Sequence, residues 1–273
     1  MGLPQPSDSS VALVTGASAG IGEAIARELA ARGHGLALAA RREERLVALA
    51  EELRSQHGIT ADVHRADLGD EAGRDALVTA LAEEGREVAI LVNNAGIGDY
   101  EDVIDADRQV LLRMVRLNCE ALLDLTSRYL PGMAARGSGA VINIASTAAF
   151  QPLPGNATYA ATKAFVLSFS EAIHAELGGS GVAVTAVCPG PVKTEFAAVA
   201  GVADAERTTP DLVWTPVQDV AKAAVDGAEK GKRVVVPGLL NRAGALGGQH
   251  VPRALALPVA RRIWRAARPK PGS

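Results

Sequence analysis

Short, nearly uninterrupted apolar runs recur along the chain at residues 11–14, 36–40, 89–92, 141–144, 182–187 and 234–236. Runs without alternation of apolar and polar residues suit strands buried on both faces. A further strand over 59–65 is predicted on a weaker pattern. Between the runs lie amphipathic stretches. In the first, Ile21, Ile25 and Leu29 recur at four-residue spacing and form one stripe, while Glu23, Arg27 and Glu28 stay in water. The alternation predicts repeated βαβ units, hence an α/β fold: a doubly wound, Rossmann-type parallel sheet flanked by helices, in a single domain. No internal repeat of solenoid length competes with this reading.

Two segments break the rhythm. Between 195 and 216, small residues and Thr208-Thr-Pro210 give no strand and at most a short helix. Because it follows a strand, this segment belongs at the carboxyl edge of the sheet, where open α/β folds bind ligands, and it is predicted to be a mobile substrate flap. From residue 230 to residue 273 there are lysines and arginines but no Asp or Glu, although the net charge of the whole chain is -3. Residues 238–273 thus read as a basic C-terminal extension, 11–237 as the folded domain and 1–10 as a flexible N-terminus. Pro252 to Arg268 reads as a helix after Pro258, with Arg261, Arg265 and Arg268 on one stripe and Val259, Ile263 and Ala267 on another. Such a helix can touch an anionic membrane surface weakly and in a salt-sensitive way, or dock against the protein itself or a neighbouring copy. Nucleic acid is not an expected partner, because no binding motif or aromatic-basic interleaving accompanies the charge.

With 48% hydrophobic and 22% charged residues, the 273-residue chain has ample material for a core, which excludes a disordered class. Cys119 and Cys188 stand far apart, without a CxxC pair or a His cluster, so neither a metal site nor a disulfide framework is expected. A reducing, cytoplasmic setting fits. The first ten residues lack a basic region followed by an apolar core and do not resemble a signal peptide. No apolar run is long enough to span a bilayer.

Directly after the first run comes Thr15-Gly16-Ala17-Ser18-Ala19-Gly20-Ile21-Gly22, leading into the first amphipathic stretch. Glycines at 16, 20 and 22 let backbone amides approach a pyrophosphate, and the helix N-terminus supplies unpaired N–H groups and a favourable dipole for the anion. At the end of the second run an acidic residue would accept hydrogen bonds from an adenosine ribose 2′-hydroxyl and repel a 2′-phosphate. The chain has Ala40-Arg41-Arg42 there instead, so NADP(H) is the predicted cofactor. Tyr159 and Lys163, four residues apart, share one helix face. A free phenol has a pKa of about 10, so acid–base work near neutrality needs a neighbouring positive charge, which Lys163 can supply.

The GxxxGxG spacing, the YxxxK motif and Ser146 thirteen residues before Tyr159 together resemble the short-chain dehydrogenase/reductase family, over roughly 11–237. Three further segments match those with which the family contacts adenine, the adenosine ribose region and the nicotinamide carboxamide. They are Asp67-Leu68, Asn93-Asn94-Ala95-Gly96 and Pro189-Gly190-Pro191-Val192-Lys193-Thr194. Asn118, in Arg-Leu-Asn-Cys, matches the fourth catalytic member. A second basic residue that some NADP-dependent relatives carry in the glycine loop is Ala19 here.

By this resemblance Tyr159 protonates a carbonyl oxygen during reduction and Ser146 hydrogen-bonds the same oxygen. Lys163 binds the nicotinamide ribose hydroxyls and tunes Tyr159, and Asn118 holds a water linking Lys163 to solvent. The implied reaction is NADP(H)-dependent interconversion of a carbonyl and an alcohol on a small, partly apolar substrate, with no metal. In the family, helices like those over 103–133 and 159–177 commonly pair across a two-fold axis, which implies a homo-oligomer. Two other readings stand beside it. A 3-oxoacyl-thioester reductase of lipid metabolism shares the same four residues; a non-catalytic NADP-sensing module need not retain Ser146, Tyr159 and Lys163 together. Cys119 and His174 have no suitable partner nearby in sequence and read as packing residues. The walls that select substrate are expected from 96–105, 147–158 and the flap.

Overall fold

The computed structural model describes residues 2–196 and 213–267. Its seven strands are β1 (Ser10–Thr15), β2 (Gly35–Ala40), β3 (Ala61–Arg65), β4 (Glu87–Asn93), β5 (Gly139–Ile144), β6 (Val182–Val187) and β7 (Val234–Val235). They form one parallel sheet in the order β3-β2-β1-β4-β5-β6-β7, the doubly wound arrangement that the sequence pattern predicts. The central strands β1, β2, β5 and β6 are buried throughout, which is why they lack alternation. β3 reads weakly because it is an edge strand whose Asp62 and Val63 are half-buried and whose Arg65 is exposed.

The helices are α1 (Gly20–Ala31), α2 (Glu43–His57), α3 (Glu71–Glu83), α4 (Arg108–Val115), α5 (Ala121–Arg136), α6 (Ala157–Glu176), α7 (Val217–Glu229), α8 (Leu239–His250) and α9 (Arg253–Ala267). A π-helical turn, Arg116–Glu120, joins α4 to α5, and a 3-10 turn, Thr147–Phe150, follows β5. One core lies between the sheet and α1, α2 and α7, where Ile25, Leu29, Leu46, Leu53 and Val225 are fully buried. A second lies under α3, α5 and α6, around Leu81, Leu125, Met133 and Ile173. Each such large side chain contributes about 1.5–3 kcal/mol by leaving water.

Between the layers runs a chain of buried polar side chains. Asn93 Nδ2 donates to Asn143 Oδ1 (2.9 Å) and to Thr126 Oγ1 (3.0 Å), and Asn143 Nδ2 donates to Ser170 Oγ (2.9 Å). These bonds tie β4 and β5 to α5 and α6, and so fix the position of α6 along the sheet. The chain leaves β1 towards β2 and β3 on one side and returns through β4 on the other, which opens a crevice at the carboxyl ends of β1 and β4.

Near both ends of the chain particular side chains meet the body. Leu3 packs on the α1–α7 core and Ser7 Oγ donates to Ser10 Oγ (2.8 Å), while residues 5–9 are exposed. The basic helix does not begin after Pro258. It starts at Arg253, on carbonyl bonds to Pro252, and carries Pro258 inside it, where the ring removes a single N–H donor. Trp264 Nε1 donates to Asp102 Oδ1 (2.8 Å), and the indole packs so tightly on Gly155 that a Cβ there would lie 2.0 Å from Trp264 Cε2. The tail therefore docks on the protein's own body; Arg268 lies outside the described residues. Of the expected flap, only Glu195, Phe196 and 213–216 are among them. No helix among the described residues is long and apolar enough to cross a membrane.

Candidate active site

A cleft of about 1000 Å³ opens along the carboxyl edge of the sheet. That is at the upper end of the range for ligand pockets, with room for a dinucleotide and a small substrate. Its floor at one end is the glycine loop after β1. Gly16 (φ 67°) and Gly20 (φ 60°) are left-handed, a conformation that side chains with a Cβ disfavour. At Gly22 a Cβ would come within 2.4 Å of Asn94 Nδ2 and 2.5 Å of the Gly16 carbonyl oxygen, so only glycine lets α1 start this close to the loop. Thr15 Oγ1 donates to the Val92 carbonyl (3.0 Å) and accepts from the amides of Asn94 (2.9 Å) and Ala95 (3.0 Å). Asn94 Nδ2 returns a bond to the Thr15 carbonyl (2.8 Å). Motifs eighty residues apart in sequence thus become one rim. On the far side a Cβ at Gly20 would lie 3.3 Å from Thr194, so the segment after β6 closes over the loop. The thin, amide-lined cradle fits a pyrophosphate.

Gly16, Gly20, Asn94 and Thr194 line this cleft, as do Ser18, Ala19, Ile21, Arg41, Arg42, Asp67, Leu68, Ala95, Gly96, Pro189, Gly190 and Val192; Gly22 lies behind the loop and is not part of the lining. At the end of the cleft beside β2, Arg42 Nε donates to Ser18 Oγ (3.2 Å). Asp67 Oδ1 accepts from the Gly69 amide (3.1 Å), and its Oδ2 pairs with Arg113 (2.6 Å).

At the other end α6 presents Tyr159 and Lys163, both buried. Lys163 Nζ sits 5.7 Å from the centre of the Tyr159 ring and donates to the Ile144 carbonyl (2.8 Å). Ser146, at the end of β5, accepts from the Ala148 amide (3.1 Å) and hydrogen-bonds the Tyr159 phenol. Burial drives Tyr159 well above the usual phenol range; the Tyr100 phenol pushes the same way and the Ser146 bond draws it back. Burial pushes the Lys163 amine down to about 8, against the opposing pull of Cys119 and Cys188. Ser146 and Lys163 thus both flank Tyr159, and the Lys163 amine also donates to a backbone carbonyl.

Asn118 lies inside the π-turn, buried, and its amide is clamped: Oδ1 accepts from the Ile97 amide (2.9 Å), and Nδ2 donates to the Ile97 carbonyl (2.9 Å) and Thr162 Oγ1 (3.1 Å). Asn118 and Lys163 face each other across Gly96, where a Cβ would lie 3.1 Å from Asn118 Oδ1 and 3.6 Å from Lys163 Nζ. Buried Arg74 braces the turn from below, bonding Glu120 and Asp124 at 2.6 Å each. Cys119 and His174 are packing residues here. Burial raises the Cys119 thiol to about 11, and His174 Nδ1 bonds the Val184 carbonyl at 2.8 Å.

The family model for short chain dehydrogenases matches residues 10–203. The chain belongs to the short-chain dehydrogenase/reductase family. Among its relatives, sulfoacetaldehyde reductase 2 of Chromohalobacter salexigens is 40% identical over 195 residues, 70% of this chain and 76% of the relative. A short-chain dehydrogenase from Sphingobium yanoikuyae, solved in complex with NADPH, superposes with a TM-score of 0.77 at 35% identity, over 97% of this chain and 98% of that one. The bulky-bulky ketone specific alcohol dehydrogenase from Comamonas testosteroni gives 0.75 at 32% identity, over 98% of each chain.

What a family motif does not specify is the substrate wall of this dehydrogenase/reductase. Tyr100, Phe150 and Leu153 come from the loops expected to supply it, and Phe196, whose ring centre lies 5.7 Å from that of Tyr159, from the start of the expected flap. Leu240, Asn241 and Ala245 do not; they belong to α8, which the charge pattern assigns to a separate basic extension. Asn241 packs on Gly190, where a Cβ would be 2.3 Å away, and donates to Thr215 Oγ1 (3.0 Å). No periodicity could have revealed this, since the contact is made across fifty residues of chain.

Proposed function

We propose that this enzyme interconverts a neutral, largely apolar ketone and its alcohol with NADP(H), using Tyr159 as the acid–base group. The observation that carries it is the meeting of Tyr159, Ser146 and Lys163 at the end of a cleft walled by Ile97, Leu153, Phe150, Phe196, Val213 and Trp214. Among the described residues lining that half, Lys163 is the one cation, with Lys193 Nζ 5.7 Å from the centre of the Trp214 ring. A neutral, apolar group matches the remaining wall, whereas a sulfonate or carboxylate would give up hydration on entering it. The wall thus favours a substrate of the kind named for the Comamonas enzyme over that named for the Chromohalobacter one.

Bound NADP(H) supplies or accepts the hydride. The chain's own residues do the rest. Ser146 and Tyr159 hold the carbonyl oxygen between two hydroxyl donors, and Tyr159 gives it a proton as charge develops. A phenol whose pKa burial has raised keeps its proton, which suits it to donate in the reductive direction. Lys163 would hold the ribose hydroxyls of the bound cofactor, and Asn118 holds the backbone of Ile97 and the side chain of Thr162 in place behind it.

A substrate panel followed by NADPH absorbance tests this reading. Bulky uncharged ketones should give the highest kcat/KM; a preference for acyl thioesters or for small anionic aldehydes would defeat it. Arg41 and Arg42 beside the cleft support NADPH over NADH, and Arg41→Asp should weaken NADPH by about 1.5–3 kcal/mol, the scale of a charged hydrogen bond. Tighter binding of NADH than NADPH by the unmodified enzyme would refute the cofactor preference.

Val110 and Val115 of α4, Leu123 of α5 and Phe165 of α6 are exposed, and this apolar face supports self-association through the helices that pair in the family. Sedimentation at micromolar concentration should show at least a dimer, and a monomer alone would contradict it. The free thiols of Cys119 and Cys188 support a reducing compartment such as the cytoplasm. The seating of Trp264 supports docking of the basic tail on its own subunit over a membrane-surface role.

A further inference from the structure

We propose that Glu195 is a built-in competitor for the 2′-phosphate of NADP(H), a carboxylate clasped by the chain's own arginines until the phosphate displaces it. The proposal rests on the NADP(H) reading above. One oxygen of Glu195 accepts from Arg42 and the other from Arg45, both at 2.6 Å, so a single carboxylate bridges two guanidinium groups. Arg42 also donates to Ser18 Oγ (3.2 Å) and Ser18 O (3.4 Å) in the glycine loop, and Ser18, Arg41, Arg42 and Glu195 line the same end of the cleft. These cations are therefore arranged around an anion at the place where the cofactor's extra phosphate has to be recognised. The anion present is the protein's own.

The two arginines hold the Glu195 carboxyl below the usual carboxylate range. All three side chains are nonetheless about half exposed, at 45%, 50% and 48% for Arg42, Arg45 and Glu195, so water and salt weaken the clasp and it exchanges readily. A 2′-phosphate carries a charge of about -1.5 to -2 and three acceptor oxygens, and it outcompetes one carboxylate for the same guanidinium groups. The competition lowers the apparent affinity for NADP(H) by the fraction of enzyme that is clasped. NADH, with a 2′-hydroxyl, has no use for the released arginines and is not taxed. Glu195 thus narrows the gap between the two cofactors and speeds departure of NADP⁺, since the carboxylate re-forms its bonds as the phosphate leaves. The opposite arrangement, in which Glu195 stays clasped as a strap over bound cofactor, would support both cofactors alike.

Calorimetric titration of the whole enzyme with NADPH, NADH, 2′,5′-ADP and 5′-ADP separates these cases. Glu195→Gln and Glu195→Ala should each bind NADPH and 2′,5′-ADP about 2- to 10-fold tighter, which corresponds to a wild-type clasp closed in half to nine-tenths of molecules. NADH and 5′-ADP should bind as before, and stopped-flow release of NADP⁺ should slow by a similar factor. Weaker or unchanged NADPH binding would overturn the proposal, and so would an equal gain for all four ligands, which would signal only a change in overall charge. If wild-type enzyme binds 2′,5′-ADP no better than 5′-ADP, the NADP(H) reading itself fails; if that preference is present but neither variant gains, the clasp alone fails.

Discussion

Tyr159→Phe should lower turnover by at least about 10³-fold while NADPH binds as tightly as before. The substitution removes one oxygen from a ring that is packed against Phe196 and the wall of the cleft, so the cavity keeps its shape and the fold its core. What disappears is the proton donor, and with it the second hydroxyl on the carbonyl oxygen; general acid catalysis by a positioned group is worth about 10²–10⁴-fold. Ser146→Ala should cost less, about 10²-fold in kcat, because the phenol still reaches the oxygen. The direction of the pKa shift adds a second readout. With Tyr159 held in its protonated form by burial, alcohol oxidation, which needs the phenolate, should climb with pH over the range in which ketone reduction is flat. A Tyr159→Phe enzyme that reduces its best ketone at near wild-type rate would overturn the mechanism.

Lys163 should show the larger combined effect, and an opposite one on stability. Lys163→Ala removes the ribose partner and the charge beside Tyr159, so kcat should fall by at least about 10²-fold and NADPH affinity should fall with it. Unchanged NADPH affinity would remove the ribose role. Lys163→Met keeps the length of the side chain but deletes a buried ammonium whose pKa burial has pushed from 10.5 to about 8. Between those two values the unfolded chain binds the proton and the folded chain does not, so stability rises with pH there; below about 8 the folded protein carries the full cost of the buried charge. At about 1.4 kcal/mol per pKa unit, that cost outweighs the single hydrogen bond to Ile144 that Met forfeits. The Met variant should therefore melt a few degrees higher than wild type at pH 7, and the advantage should fade as pH approaches 10.5. A lower Tm at pH 7 would show that Lys163 stabilises the fold as well as serving the site.

Much of this was legible in the chain because the features concerned are local. A buried parallel strand announces itself by unbroken apolar residues, and six strands were so marked; β3 was faint because an edge strand exposes one flank. The glycine loop was legible because close approach of backbone to Asn94 leaves no room for a side chain. Arg42 was legible by its place after β2, but Glu195 as its partner was not: the two are 153 residues apart, and only the closure of the segment after β6 over the loop brings them together. The same holds for α8 and α9. Their basic composition suggested an appendage, whereas Asn241 and Trp264 are buttresses, one behind Gly190 and the other behind Gly155, and neither charge nor periodicity encodes where a side chain of the last helices will land. Pro258 misplaced the start of α9 because a proline within a helix looks, in sequence, like a proline that begins one.

The π-turn has a consequence for how this protein can change by insertion and deletion. Its wide ring, closed by a bond from the Ala121 amide to the Arg116 carbonyl, holds one residue more than a regular α-helix of the same rise would. Loss of any single residue between 116 and 120 would let α4 run straight into α5, with better backbone hydrogen bonding than the present turn has. The flanking helices would keep their register, because the wide turn is what takes up the extra residue, but the side chains within the turn would be redistributed around the helix at about 100° per residue. With α5 anchored to the sheet through Thr126, and α3 to the turn through Arg74, that change would fall on Asn118. A shortening that the backbone would welcome is thus one that displaces Asn118 from the clamp on Ile97 and Thr162, so in this chain the surplus residue serves the site at a cost to the regularity of the helix.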